Sequence, residues 1–235
     1  MKYDNYITWK SWNKNDFGNL NSHDKQYFDS IFDSIKIQSK NNVKVLEVGY
    51  GNGSFLRYCR DKKYDIFGVE INVDLIEAAK EKKFNVFTPD EILHIHEDSF
   101  DLIVLFDVLE HLDVSFIEES ILVYRKILKD GGVLVARYPN SDSPFSLPIQ
   151  HGDITHVTAI GSGMIRYWMK IANFKITYIG PDERYFNINI GILRYILKSI
   201  KFLIIFVFNK LLNIFYSNNV NYLSPNSILF AKLNK

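Results

Sequence analysis

One cysteine, Cys59, serves the whole chain. A single thiol excludes an internal disulfide framework and fits a reducing compartment, so a cytoplasmic setting is expected. Charge of one sign is missing too: 28 Lys and Arg face 27 Asp and Glu. That balance generates no global field for nucleic acid, and no nucleic-acid partner is expected. No basic stretch followed by an apolar core opens the sequence, so no secretory leader is expected. Nor is any apolar run long enough to span a bilayer. The most apolar stretch, Phe202 to Phe208, lies between Lys201 and Lys210, well short of the roughly 18–20 residues a spanning helix needs. No internal repeat is visible. What remains is a chain of 235 residues, long for an average domain but ordinary for an α/β fold.

Against this background, Val45-Leu46-Glu47-Val48-Gly49-Tyr50-Gly51-Asn52-Gly53 carries the most information. The run Val43 to Val48 is mostly β-branched and apolar, as a buried parallel strand should be. It ends in three alternating glycines, which permit a tight turn and let a ligand approach bare backbone. A helix starting at Ser54 turns its free N–H groups toward the same crevice. Such a loop at the carboxyl end of a first strand marks a nucleotide-type site. Asp65 to Glu70 reads as a second strand ending in an acid. Glu70 stands about twenty residues past the glycines, where a carboxylate accepts ribose hydroxyls. The spacing is G-x-G-x-G, with the third glycine one position too early for a dinucleotide fingerprint, which argues against a nicotinamide dehydrogenase.

Two further landmarks follow. Phe100 to Phe106 reads as a strand running into Asp107-Val108-Leu109-Glu110-His111-Leu112, and Leu128-Lys129-Asp130-Gly131-Gly132 reads as a helix-to-strand turn. Taken in order over residues 43–139, the four landmarks resemble those of class I S-adenosylmethionine-dependent methyltransferases, with Asp130 where that family usually has proline. The resemblance implies a Rossmann-like α/β fold: a mostly parallel seven-stranded sheet of order 3-2-1-4-5-7-6 with helices on both faces. It implies S-adenosylmethionine as cofactor, with Glu47 and the glycines around its methionine end. The implied cofactor shell is Glu47, Gly49, Tyr50, Gly51, Gly53, Glu70, Ile71, Asp90, Phe106, Asp107 and Val108.

One domain is expected, with an N-terminal helical cap at 1–42, a core at 43–181, a helical insertion at 182–224 and a last strand at 225–235. Tyr27, Phe28, Ile31, Phe32 and Ile35 recur at helical spacing and predict a helix over 22–38. Expected strands at 64–70, 84–88, 101–106, 132–138, 174–179 and 227–233 alternate with helices at 54–62, 74–82, 115–129 and 162–172. Trp9 and Trp12 either close over a ligand or pack on the sheet edge. Residues 190–216 carry Arg194, Lys198, Lys201 and Lys210 and no acid beside a wide apolar face. That pattern suits peripheral contact with the inner face of a membrane, or packing on the domain or on a second subunit as a homodimer.

The chemistry is expected after strands four and five. Arg137 to His156 is polar and Pro-containing, and long loops of this kind are often functional. His151, Asp153 and His156 fall within six residues; an imidazole suits base catalysis near neutral pH and a carboxylate can fix its tautomer. The stretches Pro139-Asn140-Ser141-Asp142-Ser143-Pro144-Phe145 and Gly152-Asp153-Ile154-Thr155-His156 resemble segments of bacterial methyltransferases of surface-glycan synthesis. This second resemblance implies O-methylation of a small-molecule acceptor, a sugar or sugar phosphate in capsule or related polysaccharide synthesis. It places Tyr138, Asn140, Trp9 and Trp12 at the acceptor. His151, Asp153 and His156 offer three metal ligands without an evident fourth, so no metal is expected. His111 is expected to orient its loop, His94 and His96 to face solvent, and Cys59 to pack in the core. A lipid-linked or quinone-like acceptor, and a catalytically silent cofactor-binding protein, are the alternatives.

Overall fold

The computed structural model describes residues 10, 12, 16–37, 42–182 and 222–235, together with helical residues 200, 203, 204, 206–208, 210–212 and 214. Seven strands form one sheet in the order β3-β2-β1-β4-β5-β7-β6. They are β1 (Lys44–Val48), β2 (Asp65–Val69), β3 (Asn85–Phe87), β4 (Phe100–Phe106), β5 (Leu128–Pro139), β6 (Phe174–Pro181) and β7 (Asn226–Leu233). β7 runs antiparallel to both its neighbours, and the other pairings are parallel.

Period-two side-chain alternation in β4 divides the core. Ile103 and Leu105 face one layer, while Leu102 and Val104 face the other, as a strand buried on both sides requires. On the second face lie α1 (Ser22–Ile35), α2 (Ser54–Asp61) and α3 (Val73–Glu81). On the first lie α4 (Val114–Ile127) and α6 (Ser162–Ile171), with the short α5 (Leu147–Gly152) in the loop after β5. Cys59 is fully buried in the α2 layer. Phe28 and Phe55 of α1 and α2 meet edge-to-face at 5.0 Å, a geometry that adds to their area burial.

Three boundaries depart from expectation for local reasons. α1 stops at Ile35 because Lys36 turns left-handed (φ 53°) and returns its N–H to the Phe32 carbonyl, a common helix ending. β5 starts at Leu128, directly after α4, because Leu128 pairs with Phe100 across a bulge. The loop after β5 contains α5, preceded by a turn in which the Ser143 hydroxyl accepts the Phe145 N–H beside Pro144. The expectations for residues 190–216 fall mostly outside the described residues, and Trp9 lies outside them. Among the described residues no helix is long and apolar enough to cross a membrane.

Parallel strands deliver the carboxyl ends of β1, β2, β4 and β5 to one edge of the sheet. The functional residues gather there.

Candidate functional site

A cavity of about 990 Å³ opens at that edge, at the upper end of the range typical of small-molecule sites, about 300–1,000 Å³. Its first wall is the turn after β1. Gly49 and Gly51 have φ of 70° and 50°, backbone that side chains rarely adopt. A Cβ on Gly49 would stand 2.6 Å from Val108 Cγ2, and one on Gly51 would stand 2.8 Å from the Trp12 ring. The chain therefore passes its own backbone along the cavity with nothing projecting from it. Gly53 is not part of the wall; it caps α2 while the Phe17 ring packs on it.

Two acids belong to this half. The Glu70 carboxylate accepts N–H bonds from Ile71 (2.8 Å), Asn72 (3.1 Å) and Gly51 (3.2 Å), tying β2's end to the glycine turn. Burial raises its pKa against the pull of these three bonds. A carboxylate has about four acceptor sites, so one is left for a ligand donor. Glu47 is 4% exposed, and its Oε2 has no hydrogen-bonding partner. Burial, reinforced by the nearby Glu70, pushes its carboxyl well above the usual range. An orphaned buried polar atom costs about 1–3 kcal/mol, a cost that a cationic or N–H-bearing ligand would remove.

The second wall comes from the segments after β4 and β5. Asp107 (φ 57°) binds the buried Arg137 through two contacts, with Nε–Oδ1 at 2.8 Å. The guanidinium sits about 5.5 Å from the ring centroids of Tyr27 and Phe106. Beyond it, Glu110 and His111 occupy a single turn of 3-10 helix, Leu109–His111. The Glu110 carbonyl accepts the N–H groups of Val157 and Thr158, and the Thr158 hydroxyl donates to the Leu112 carbonyl at 2.6 Å. These bonds stitch the loop after β5 onto the loop after β4 and bring His156 against His111, ring centroids 4.7 Å apart.

The network assigns the tautomer of His156 and anchors His111. His156 Nδ1 lies 3.1 Å from the Gln150 carbonyl, which can only accept, so Nδ1 carries the proton. Burial raises the Asp153 pKa, but hydrogen bonds from the Thr155 hydroxyl and N–H, and then from Lys10, outweigh it and hold the carboxyl below its usual value. The ionised Asp153 takes the Thr155 hydroxyl proton, and the Thr155 hydroxyl oxygen lies 3.0 Å from His111 Nδ1. The lone pair of His156 thus falls on Nε2. His156 Nε2 is 3.9 Å from Glu110 Oε1 and 3.7 Å from Asp153 Oδ2. Burial above all, then the charge of Asp107, raises the Glu110 carboxyl well above its usual range. Glu110 is 1% exposed, and neither carboxyl oxygen accepts a bond from another residue.

Of the residues expected at the cofactor, Glu47, Gly49, Tyr50, Gly51, Glu70, Ile71, Asp90, Phe106, Asp107 and Val108 line the cavity, and Trp12 joins them. On the acceptor side the placement differs. His156 lines the cavity, but His151 is exposed at the end of α5 and is not among the lining residues, because α5 turns its last residues to solvent. Asp153 is engaged by Lys10 and Thr155. Tyr138 is fully buried in the core, since its position on β5 shares the face of Leu134 and Ala136. Asn140 donates to the carbonyls of Tyr222 (3.3 Å) and Ser224 (3.0 Å), fastening the end of β5 to the approach to β7. Neither lines the cavity. Sequence reasoning assigned no role to Glu110, Arg137 or Lys10. One available signal was Arg137, a charge at the end of the apolar run Val133 to Ala136.

The model of a family described as "Methyltransferase domain" matches residues 21–179. An uncharacterized methyltransferase of Anoxybacillus flavithermus is 29% identical over 136 residues, 54% of this chain and 63% of its own. Uncharacterized protein MJ0638 of Methanocaldococcus jannaschii is 29% identical over 143 residues, 57% of this chain and 60% of its own. The match therefore spans less than two thirds of either relative. The fold is also that of a crystal structure described as a SAM dependent methyltransferase from Archaeoglobus fulgidus, with a TM-score of 0.65, 20% identity and coverage of 97% of this chain and 100% of that one. The family model covers well over half of the sequence, and the chain belongs to the methyltransferase-domain family.

Proposed function

We propose that this member of the methyltransferase-domain family transfers a methyl group from S-adenosylmethionine to a hydroxyl of a small-molecule acceptor. The observation that carries the reading is that one cavity joins a side-chain-free glycine turn, the buried Glu47 and the half-buried Glu70 to a group of the buried Glu110 with the half-buried His111 and His156. The first half fits the cofactor. Glu70 has an acceptor site for ribose hydroxyls, and Glu47 Oε2 lacks the donor that an ammonium or a sulfonium-bearing ligand would bring near. When bound, the cofactor supplies an activated methyl carbon that an acceptor oxygen attacks in line as the carbon–sulfur bond breaks.

The residues of the chain do the rest. Gly49 and Gly51 let the backbone approach, while Tyr27, Phe28 and Phe106 keep the interior of the cavity apolar and exclude water. Arg137 neutralises Asp107, so that carboxylate does not compete as a nucleophile or misplace a cation. An alcohol must lose its proton as it attacks, and Glu110 and His156 are the groups placed to promote that loss. Calorimetry with S-adenosylmethionine and with NAD tests the cofactor half: only the first is expected to bind, and a wild-type protein that ignores it refutes the reading.

The acceptor class we favour is a sugar or sugar phosphate of surface-polysaccharide synthesis, supported by the resemblance of residues 139–145 and 152–156. Transfer of labelled methyl into a panel of nucleotide-activated sugars tests it. A lipid-linked or quinone-like acceptor is the second reading. It is favoured by the exposed Leu203, Ile204, Phe206 and Val207, whose neighbour Phe208 lies 5.8 Å from Phe145 of the loop after β5. Sedimentation with anionic liposomes at low and high salt separates the two.

A further inference from the structure

Around the second wall, two of the acids nearest the histidines have a cation of their own. Asp107 has Arg137 and Asp153 has Lys10. Among the described residues Glu110 has no Lys or Arg partner and accepts no hydrogen bond from another residue, only His156 Nε2 standing 3.9 Å away, although it is the most deeply buried of the three. A buried carboxyl is retained at such a place when something pairs with it.

We propose that Glu110, His111 and His156 bind a divalent transition-metal ion. One ligand atom from each of the three lies within 4.8 Å of the others. Two imidazoles and one carboxylate suit zinc, manganese or iron better than magnesium or calcium, which prefer all-oxygen shells. The surrounding bonds fit the assignment. His156 gives its Nδ1 proton to the Gln150 carbonyl, and His111 Nδ1 is held 3.0 Å from the Thr155 hydroxyl. Outer hydrogen bonds of this kind orient metal-binding imidazoles, and on His156 they leave Nε2 as the donor atom. Metal–nitrogen and metal–oxygen bonds of about 2.0–2.2 Å are shorter than the spacing here requires, so the three side chains draw inward on binding. His111 and His156 arrive from different strand ends and are held by the Glu110–Val157 and Glu110–Thr158 backbone bonds, so the site forms only in the folded chain.

All three residues line the cavity, and three protein ligands leave coordination positions open toward it. The role we assign to those positions rests on the methyl-transfer reading; the site itself does not. There the ion holds the acceptor hydroxyl and lowers its pKa. The hydroxyl proton leaves to solvent, the oxygen lone pair forms the new O–CH3 bond, and the carbon–sulfur pair remains on sulfur. His156 then acts as a ligand and not as the proton acceptor. The acceptors best suited to such a site present two neighbouring oxygens, as a vicinal diol or catechol does.

The test uses tag-free full-length protein stripped with a chelator. Equilibrium dialysis against zinc and manganese is expected to show one ion per chain, and cobalt to give the visible absorption of nitrogen coordination. Glu110→Gln preserves shape and removes the anionic ligand, and His156→Gln removes one nitrogen. Each is expected to weaken binding at least tenfold while S-adenosylmethionine affinity, measured separately, stays within twofold. His94→Ala with His96→Ala, on a separate surface turn, is expected to change nothing. Absence of stoichiometric binding by the wild type overturns the proposal. So does wild-type affinity in folded Glu110→Gln, or loss of binding in the His94/His96 variant. If the ion binds and the cofactor does not, the methyl-transfer reading fails and the site stands.

Discussion

The two halves of the cavity are built in different ways. The half proposed for the cofactor is local: Gly51 and Glu70, which hydrogen-bond each other, are 19 residues apart, and backbone N–H groups provide most of its bonds. The half proposed for the acceptor is assembled over distance. Thr155 and His111 are 44 residues apart, and Lys10 and Asp153 are 143 apart. A site made of backbone at the ends of neighbouring parallel strands is carried by the fold itself, and it tolerates change in the loops. A site made of side chains from several loops can be rebuilt without disturbing the sheet. This separation lets one architecture keep a cofactor and vary an acceptor.

If the halves are independent, substitutions in one should leave the other's binding intact. The sharpest test is His156→Ala. Turnover is expected to fall by about 10²-fold or more, whether the group serves a proton or an ion, with cofactor affinity within twofold of wild type by calorimetry. A parallel loss of cofactor affinity would break the comparison. The converse is Glu70→Ala, which removes charge-assisted hydrogen bonds worth about 1.5–3 kcal/mol. Its cofactor dissociation constant should rise by about 10- to 150-fold, without change in the metal binding proposed above.

A smaller effect concerns stability. The Glu47 carboxyl is held above its usual range in the folded protein, burial being the main cause. A raised folded-state pKa means the folded chain keeps a proton that the unfolded chain releases. The stability this contributes is complete below the ordinary carboxyl range and is lost as pH rises through the raised value. Glu47→Gln removes that loss at position 47. Urea unfolding at pH 5 and pH 8 is expected to show a shallower decline than wild type. At pH 8 the ligand-free variant should be more stable by about 1–3 kcal/mol, while its cofactor affinity drops. Glu70 and Glu110 titrate with the same sign, so some decline remains. The smallest effect is expected at His151, which faces solvent. His151→Ala should leave turnover within twofold, and a larger loss would return it to the acceptor site.

Much of the first half was legible in the residues alone. Glu47, Gly49, Gly51 and Glu70 sit where strand ends and glycine turns must put them, because a run of buried β-branched residues followed by glycines has few alternatives. The acceptor half was legible only in outline. His156 was expected there and lines the cavity, but its companions Asn140 and Tyr138 hold β5 against β7 and the core. Glu110 stood in plain view within Asp107-Val108-Leu109-Glu110-His111-Leu112 and was assigned no role. Nothing in that string reveals that its carboxyl ends up buried without a partner.

The sequence by itself determined the alternation of strands and helices, the place of the glycine turn and the two acids beside it. These follow from side-chain period and backbone freedom, which act over a few residues. Only the tertiary structure decided which polar groups meet. Residues 153–158 were equally polar as a solvated loop. Their backbone N–H groups instead satisfied the Glu110 carbonyl, and that choice carried His156 to His111, Thr155 to Asp153 and Asp153 to Lys10. Hydrogen-bond satisfaction between distant segments has no periodic trace in a sequence, because it depends on which partners the closed fold brings within 3 Å of one another.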